Sequence, residues 1–361
     1  QQDASKPRLA IDRIFSPKGT GTVVTGTLTG GSIRIGDSLI AQPIGIPAKV
    51  RYIQSHSQAL ERALPGMRTA LNLPDLPIDA PGKPGAKRGL TLTAQSCGAP
   101  TDTLDIHLQR LARPIPGIKP RALKHMETVM IHHGSARCRA RVILHDRNHL
   151  NPGEDCLAQL RLENPLFLLT GERIVLRDGS QQSTLAGGTV LDALPARQGF
   201  RTESRETFLH ARAAQPNDPA VYIRTSLVRD KILKAQQVLS NHPFHPDTIR
   251  ETSEKLIAEG SVIRHNDLLI HSKWWKSLQD EAEKSIRGWH KQHPDLPSMP
   301  LDNLQKEIDC PEEVLEFLIT TLGTKGYQAS GQGVAHPNHR LTLPDEIEKI
   351  AQSIVTQLDH I

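Results

Sequence analysis

The chain has 361 residues, 37% hydrophobic and 23% charged, which is enough apolar material for several cores and a length suited to roughly two to four domains. No run of 18 apolar residues occurs, so the sequence contains no candidate for a membrane-spanning helix. The net charge of +5 is uneven: residues 1–195 hold 24 Lys and Arg against 16 Asp and Glu, the remainder 20 against 23, so a nucleic-acid partner and a modest surface excess both stay open for the first half.

The opening QQDASKPR has neither an initiator Met nor a basic region leading into an apolar core, so it reads as a segment cut from something longer, with no signal peptide. Next comes IFSPKGTGTVVTGTL, residues 14–28, a lysine among glycines and threonines. A phosphate loop needs a Gly-Lys-Ser/Thr ending that opens a helix. Here Lys18 precedes Gly19, and the β-branched TVVTGT suits a pleated sheet. The glycines are expected to bend the chain between two strands. Residues 7–95 read as β throughout, with alternating stretches and Gly-rich turns that predict a closed barrel. Within them, LPDLPIDAPGKPGAK (residues 73–87) reads as an exposed loop, and its formal DxxG as coincidence.

Residues 102–194 form a second β-rich unit. The stretch SARCRARVIL puts Arg137, Arg139 and Arg141 on one strand face, with Cys138, Ala140 and Val142 on the other. That face is either solvated or a basic stripe for a phosphate backbone. Histidines at 125, 132, 133, 145 and 149 raise the possibility of a metal, but isolated histidines in a strand-rich segment are more often surface or core residues, and no metal site is expected. Four widely spaced cysteines without a CxxC pair argue against zinc and disulfides and suit a reducing cytoplasm.

Past residue 195 the pattern turns helical. A helical stretch runs to about Asn241, Pro246-Asp247 opens a helix that ends at Gly260, and SVIRHNDLLIH forms a hairpin. Residues 297–343 repeat the design, with LDNLQKEI, a helix opened by Cys310-Pro311-Glu312, and YQASGQGVAHP. A shift of 66 residues places Leu256 on Leu322 and Gly260 on Gly326. Helix, turn, helix and two-stranded wing, twice over, predict tandem winged helices. Their acidic helices, with Glu251, Glu254 and Glu259 and then Glu312, Glu313 and Glu316, suit spacers better than nucleic-acid readers. The tail DEIEKIAQSIVTQLDHI predicts an amphipathic helix with Ile347, Ile350 and Ile354 on one side, the start of another module.

The segment DRIFSPKGTGTVVTGTLTGGSIRIGDSL resembles the opening of the second domain of translational GTPases, and most of all that of the selenocysteine-specific elongation factors, SelB-type. ERIVLRDGSQQSTLAGGTVLDAL resembles the end of that family's third domain, and WHKQHPDLPSMPLDNLQKEI with PNHRLTLPDEIEKI resembles its second winged helix. The resemblance covers essentially the whole chain and implies a multidomain protein. Residues 1–98 would be a domain II-like β-barrel and 99–195 a domain III-like β-barrel. Residues 196–282 and 283–345 would be two winged helices, and 346–361 the start of a further module. It also implies a segment that binds selenocysteyl-tRNA for delivery to the ribosome at recoded UGA codons, with an mRNA hairpin read by C-terminal modules beyond this segment. GTP and Mg are expected only with an N-terminal GTP-binding domain, whose motifs this sequence does not carry, so no cofactor and no catalytic residue are assigned here.

For the aminoacyl group the resemblance implies a pocket built from Asp12, Arg13 and Arg68. The chemistry agrees. A selenol is a stronger acid than a thiol, whose pKa is about 8.5, so selenocysteine arrives as an anion that two guanidiniums can pair with, while serine offers them nothing. Asp12 would orient Arg13 or accept the amino group. A local Asp12–Arg13 surface pair, with Arg68 capping a turn, is the plainer reading, and the match at all three positions favours the pocket. The rivals are a factor of the elongation factor Tu type carrying ordinary aminoacyl-tRNA, and a winged-helix regulator, which the acidic second half disfavours. An enzyme is the weakest of them.

Overall fold

The computed structural model describes residues 5–112, 121–330, 332–342, 349–350 and 353–354. The chain divides into two compact units, residues 1–258 and 259–361.

The first unit opens with ten strands: β1 (Arg8–Phe15), β2 (Val23–Thr29), β3 (Ile33–Arg34), β4 (Ser38–Gln42), β5 (Ile46–Lys49), β6 (Tyr52–Ser55), β7 (Gln58–Leu60), β8 (Arg62–Ala63), β9 (Arg68–Asn72) and β10 (Thr91–Ala94). The stretch 14–28 is indeed strand, turn and strand, and no helix follows it. Eight strands pair antiparallel in the order β5-β4-β10-β1-β2-β9-β6-β7, and β3 pairs with β8. The expected barrel closure is not found here: β5 and β7 are the two edges of the sheet among the described residues. Leu9, Ile11, Val24, Leu28, Leu71 and Leu92, all fully buried, form its inner face. Gly26 faces β1 so closely that a Cβ would stand 2.2 Å from the Ala10 carbonyl oxygen, so this position has no room for a side chain. The insert 73–87 is less exposed than its composition suggests, because Leu73 and Leu76 enter the core.

The second set is β11 (Thr101–Arg110), β12 (Leu123–Lys124), β13 (Thr128–His133), β14 (Ala136–Leu144), β15 (His149–Leu150), β16 (Asp155–Leu166), β17 (Arg173–Arg177) and β18 (Thr184–Asp192). Here six strands close, in the order β11-β16-β14-β13-β17-β18. Strand β14 alternates as the sequence predicts, with Cys138, Ala140 and Val142 inside. The turn after β13 docks on the first sheet. Ser135 Oγ donates to the Ile11 carbonyl at 2.7 Å, and Glu172 takes Arg8 at 2.9 Å and His133 at 3.0 Å.

Helices α1 (Glu203–Ala214) and α2 (Pro219–Asp230) follow. Phe208 and Leu209 of α1 pack on Ile143, Leu157 and Leu191 of the barrel. Arg205 reaches the fully buried Asp105 at 2.5 Å and Asp192 at 2.7 Å. Burial raises Asp105 to about 6 against the pull of Arg205. The helical stretch expected to run to Asn241 breaks at Lys231, whose φ is +66°, and continues as β19 (Ile232–Lys234), the one-turn α3 (Ala235–Val238) and α4 (Pro246–Ala258).

The second unit contains β20 (Val262–His265), β21 (Leu268–His271), α5 (Ser272–Gln292), β22 (Met299–Pro300), α6 (Leu301–Ile308), α7 (Glu312–Thr324), β23 (Gln328–Ser330) and β24 (Gly333–Ala335). Strands β20 and β21 make the predicted hairpin, and β22, β24 and β23 form a three-stranded sheet in that order. The rings of Trp275, Phe317 and His265 stack in sequence, at 4.5 and 4.0 Å between centroids, and tie α5, α7 and β20 together. The 66-residue correspondence is present in the geometry. Leu256 and Leu322 are both buried, and Gly260 and Gly326 both leave their helices at positive φ, +73° and +90°. A non-glycine residue in that conformation costs about 1–2 kcal/mol, so Gly326→Ala should lower the melting temperature by a few degrees, read by circular dichroism. The predicted tail helix lies mostly outside the described residues, including Ile347, and Ile350 and Ile354 are exposed.

Candidate functional site

Three strands of the first sheet bring Asp12, Thr25 and Arg68 together on one face. Asp12 lies at a bulge in β1, between Ile11 and Arg13, and Thr25 is on the neighbouring β2. Arg68 begins β9 on the far side of β2 and pairs in register with Thr27. Its guanidinium grips Asp12 with both Nη atoms, Nη2 at 2.9 Å from Oδ1, while Thr25 Oγ1 donates to the same oxygen at 2.9 Å. Asp12 was expected to hold Arg13. It holds Arg68 instead, because the two-strand span matches a long guanidinium. Arg13 is exposed and has no ion pair or hydrogen bond among the described residues.

Near this cluster, on β2, β6 and β9, lies a concavity of about 450 Å³ rimmed by Gly19, Thr20, Arg51 and the half-exposed Tyr52, with Ala70 and Asn72 at its base. Gly19 sits at φ +77° in the turn from β1 to β2. The turn that resembled a phosphate loop therefore forms one wall of the hollow.

A second feature covers the outer face of the closed barrel. Arg137, Arg139 and Arg141 are exposed along β14, as the sequence predicts. Register adds two arginines that the sequence analysis missed. Arg141 stands opposite Arg161 on β16, and Arg139 stands opposite Met130, which itself faces Arg177 on β17. This face runs into a cleft of about 930 Å³ between the first sheet and the barrel, where Arg137, Arg177 and His132 meet Lys87 and Arg88. Among the described residues no carboxylate lines the cleft. Burial and the two nearby guanidiniums depress the His132 pKa, so the imidazole stays neutral while the arginines carry the charge. Such a surface can receive several phosphates along a backbone.

Three of the five histidines considered as ligands have separate engagements. His125 Nδ1 accepts from the Leu144 amide at 3.1 Å, His133 pairs with Glu172, and His145 packs edge-on against Phe200. Among the described residues no group of three His, Cys, Asp or Glu could hold a metal ion, and no helix is long and apolar enough to cross a membrane.

Comparison with known proteins gives a consistent result. Residues 114–197 match the family model for the beta-barrel domain of the selenocysteine-specific elongation factor. The chain is 26% identical to the selenocysteine-specific elongation factor of Haemophilus influenzae over 348 residues, covering 95% of this chain and 53% of that protein. With the Escherichia coli K12 factor of the same description it is 29% identical over 352 residues, covering 96% of this chain and 52% of that one. The fold is similar to the crystal structure of a bacterial selenocysteine-specific elongation factor, EF-Sec, with a TM-score of 0.66 at 18% identity, covering 99% of this chain and 54% of that one. The chain thus spans about half the length of the curated relatives it matches, and over nearly all of its own length it is similar to selenocysteine-specific elongation factors.

Proposed function

We propose that this chain is the part of the factor that holds selenocysteyl-tRNA, with the two β-units carrying the acceptor arm and the Asp12–Arg13–Arg68 cluster reading the amino acid. The observation that carries the reading is the run of arginines from the outer face of the barrel into a cleft lined by Lys87, Arg88, Arg137 and Arg177. Residues 196–282 and 283–345 act as tandem winged-helix spacers toward modules that read an mRNA hairpin on the ribosome, in the cytoplasm. The test is binding of tRNA to the chain across a salt series, with the arginines of β14 replaced.

In the aminoacyl pocket the Asp12–Arg68 pair serves as a gate. It is half-exposed, so it contributes at most about 1 kcal/mol. A selenolate can take Arg68 from Asp12, with Arg13 close in sequence as a second cation, and the released carboxylate is then free for the α-amino group. A neutral serine cannot displace Asp12. A second reading has one observation in its favour: with Arg68 already neutralised, the pocket also suits ordinary aminoacyl groups, as in a factor of the elongation factor Tu type. The ratio of affinities for selenocysteyl- and seryl-tRNA separates the two.

The chain on its own is expected neither to bind nor to hydrolyse GTP, because its one lysine-glycine-threonine stretch is a strand-turn-strand and not a loop opening a helix. Isothermal titration with GTP and Mg should give no binding heat at micromolar concentrations, and a micromolar dissociation constant would refute this.

A further inference from the structure

We infer that the solvent face of α5 is a docking surface for the phosphate backbone of an RNA duplex, separate from the barrel surface. The helix is 21 residues long, about 31 Å. Trp275, Leu278, Ala282 and Ile286 bury one side of it. At 3.6 residues per turn, Lys273, Lys276, Lys284, Arg287 and Lys291 all fall on the opposite side, in a stripe roughly 80° wide and about 27 Å long. All five are exposed. They are half of the ten Lys and Arg in residues 259–361, which otherwise carry 16 Asp and Glu, so the charge is segregated onto this helix.

The four lysines make no ion pair or hydrogen bond among the described residues. Glu283, at the edge of the stripe, is drawn to Lys325 at 2.8 Å and Arg287 at 3.5 Å, which leaves Asp280 as the one carboxylate inside it. Alongside runs a groove of about 680 Å³ between α5 and α6, lined by Lys284, Arg287 and Lys291 and by the carboxylates of Glu281 and Glu307. Gly288 opens this groove: a Cβ there would meet nothing within 4 Å, so a backbone can approach closely.

The occupant follows from the chemistry. Lysines are point charges without the planar fork that reads bases, so they suit phosphates at any sequence. A long, narrow row fits an extended polyanion better than a compact acidic patch. Single-stranded RNA sites pair cations with aromatic platforms for unstacked bases. This stripe contains no aromatic residue, which favours a duplex.

The test is a lysine acetylation footprint of the whole chain, read by mass spectrometry, with and without a 20-base-pair RNA duplex of arbitrary sequence at low salt. Lys276, Lys284 and Lys291 should be protected at least threefold and Lys255 of α4 not at all, with protection lost at high salt. No protection, or equal protection at Lys255, overturns the inference. Equal protection by a single-stranded oligouridine or by polyglutamate of matched charge also overturns it. Changing the three lysines to Gln, all at exposed positions, should lower the salt slope of duplex binding by roughly two, and an unchanged slope would count against the surface. Arg137, Arg139 and Arg141 changed to Ala should leave the α5 protection intact, so failure of the barrel reading is distinguishable from failure of this one.

Discussion

Replacing Arg137, Arg139 and Arg141 together by Ala should weaken tRNA binding about a hundredfold at 0.1 M salt and hardly at all near 1 M. The magnitude follows from counterion release. Each phosphate contact contributes a slope of roughly 0.7–0.9 in log K against log salt, so three contacts amount to about two logarithmic units for a tenfold dilution from molar salt. The three side chains point outward and pack against nothing in the core, so the variant should melt where the parent does. Fluorescence anisotropy of a labelled tRNA across a salt series gives both numbers. An unchanged slope would show that the face is merely solvated. Because Arg161 and Arg177 lie beside the row, adding their replacement should flatten the slope further, while Arg173, paired with Thr189 at the other end of β17, is expected to matter less.

The row on β14 was legible in the sequence because side chains alternate along a strand, and period two needs only local information. Arg161 and Arg177 join it through the registers of β16 and β17, which no short window of sequence contains. The same division holds elsewhere. The glycines ending α4 and α7 announced themselves, since helix stops are local chemistry. Closure of the first sheet was expected from strand composition, but closure depends on which strands become edges. The longest helix among the described residues, α5, does not stand out in the sequence because its buried positions Trp275, Leu278, Ala282 and Ile286 are set among many charges, and its basic stripe appears only once the buried side is known. Asp12 was read beside Arg13, its neighbour in sequence. The fold gives it Arg68, 56 positions away, because β9 packs against β2 and not beside β1.

That exchange of partners sharpens the expected effect of Arg68→Ala. Losing one charge-assisted contact costs about 1.5–3 kcal/mol, or roughly ten- to a hundredfold in affinity. In this geometry the substitution also leaves Asp12 with Thr25 as its one side-chain partner among the described residues, so an uncompensated carboxylate then faces the incoming selenolate. The loss for selenocysteyl-tRNA should therefore lie at the upper end of that range, while seryl-tRNA, which never displaced the pair, should bind almost as before. Arg68→Ala combined with Asp12→Asn removes the repulsion and should recover part of the affinity for selenocysteyl-tRNA, a rescue that a purely structural role for the pair does not predict. Arg13→Ala should also discriminate between the two tRNAs, without touching the Asp12–Arg68 contact. The measurement belongs in the complete factor with GTP bound, where the aminoacyl end is expected to be enclosed between this sheet and the GTP-binding domain. Equal losses for both tRNAs would mean that Arg68 holds the RNA or the sheet, and the assignment of the pocket would fall. A loss confined to selenocysteyl-tRNA and relieved by Asp12→Asn would leave competition between two anions for one guanidinium as the basis of selection.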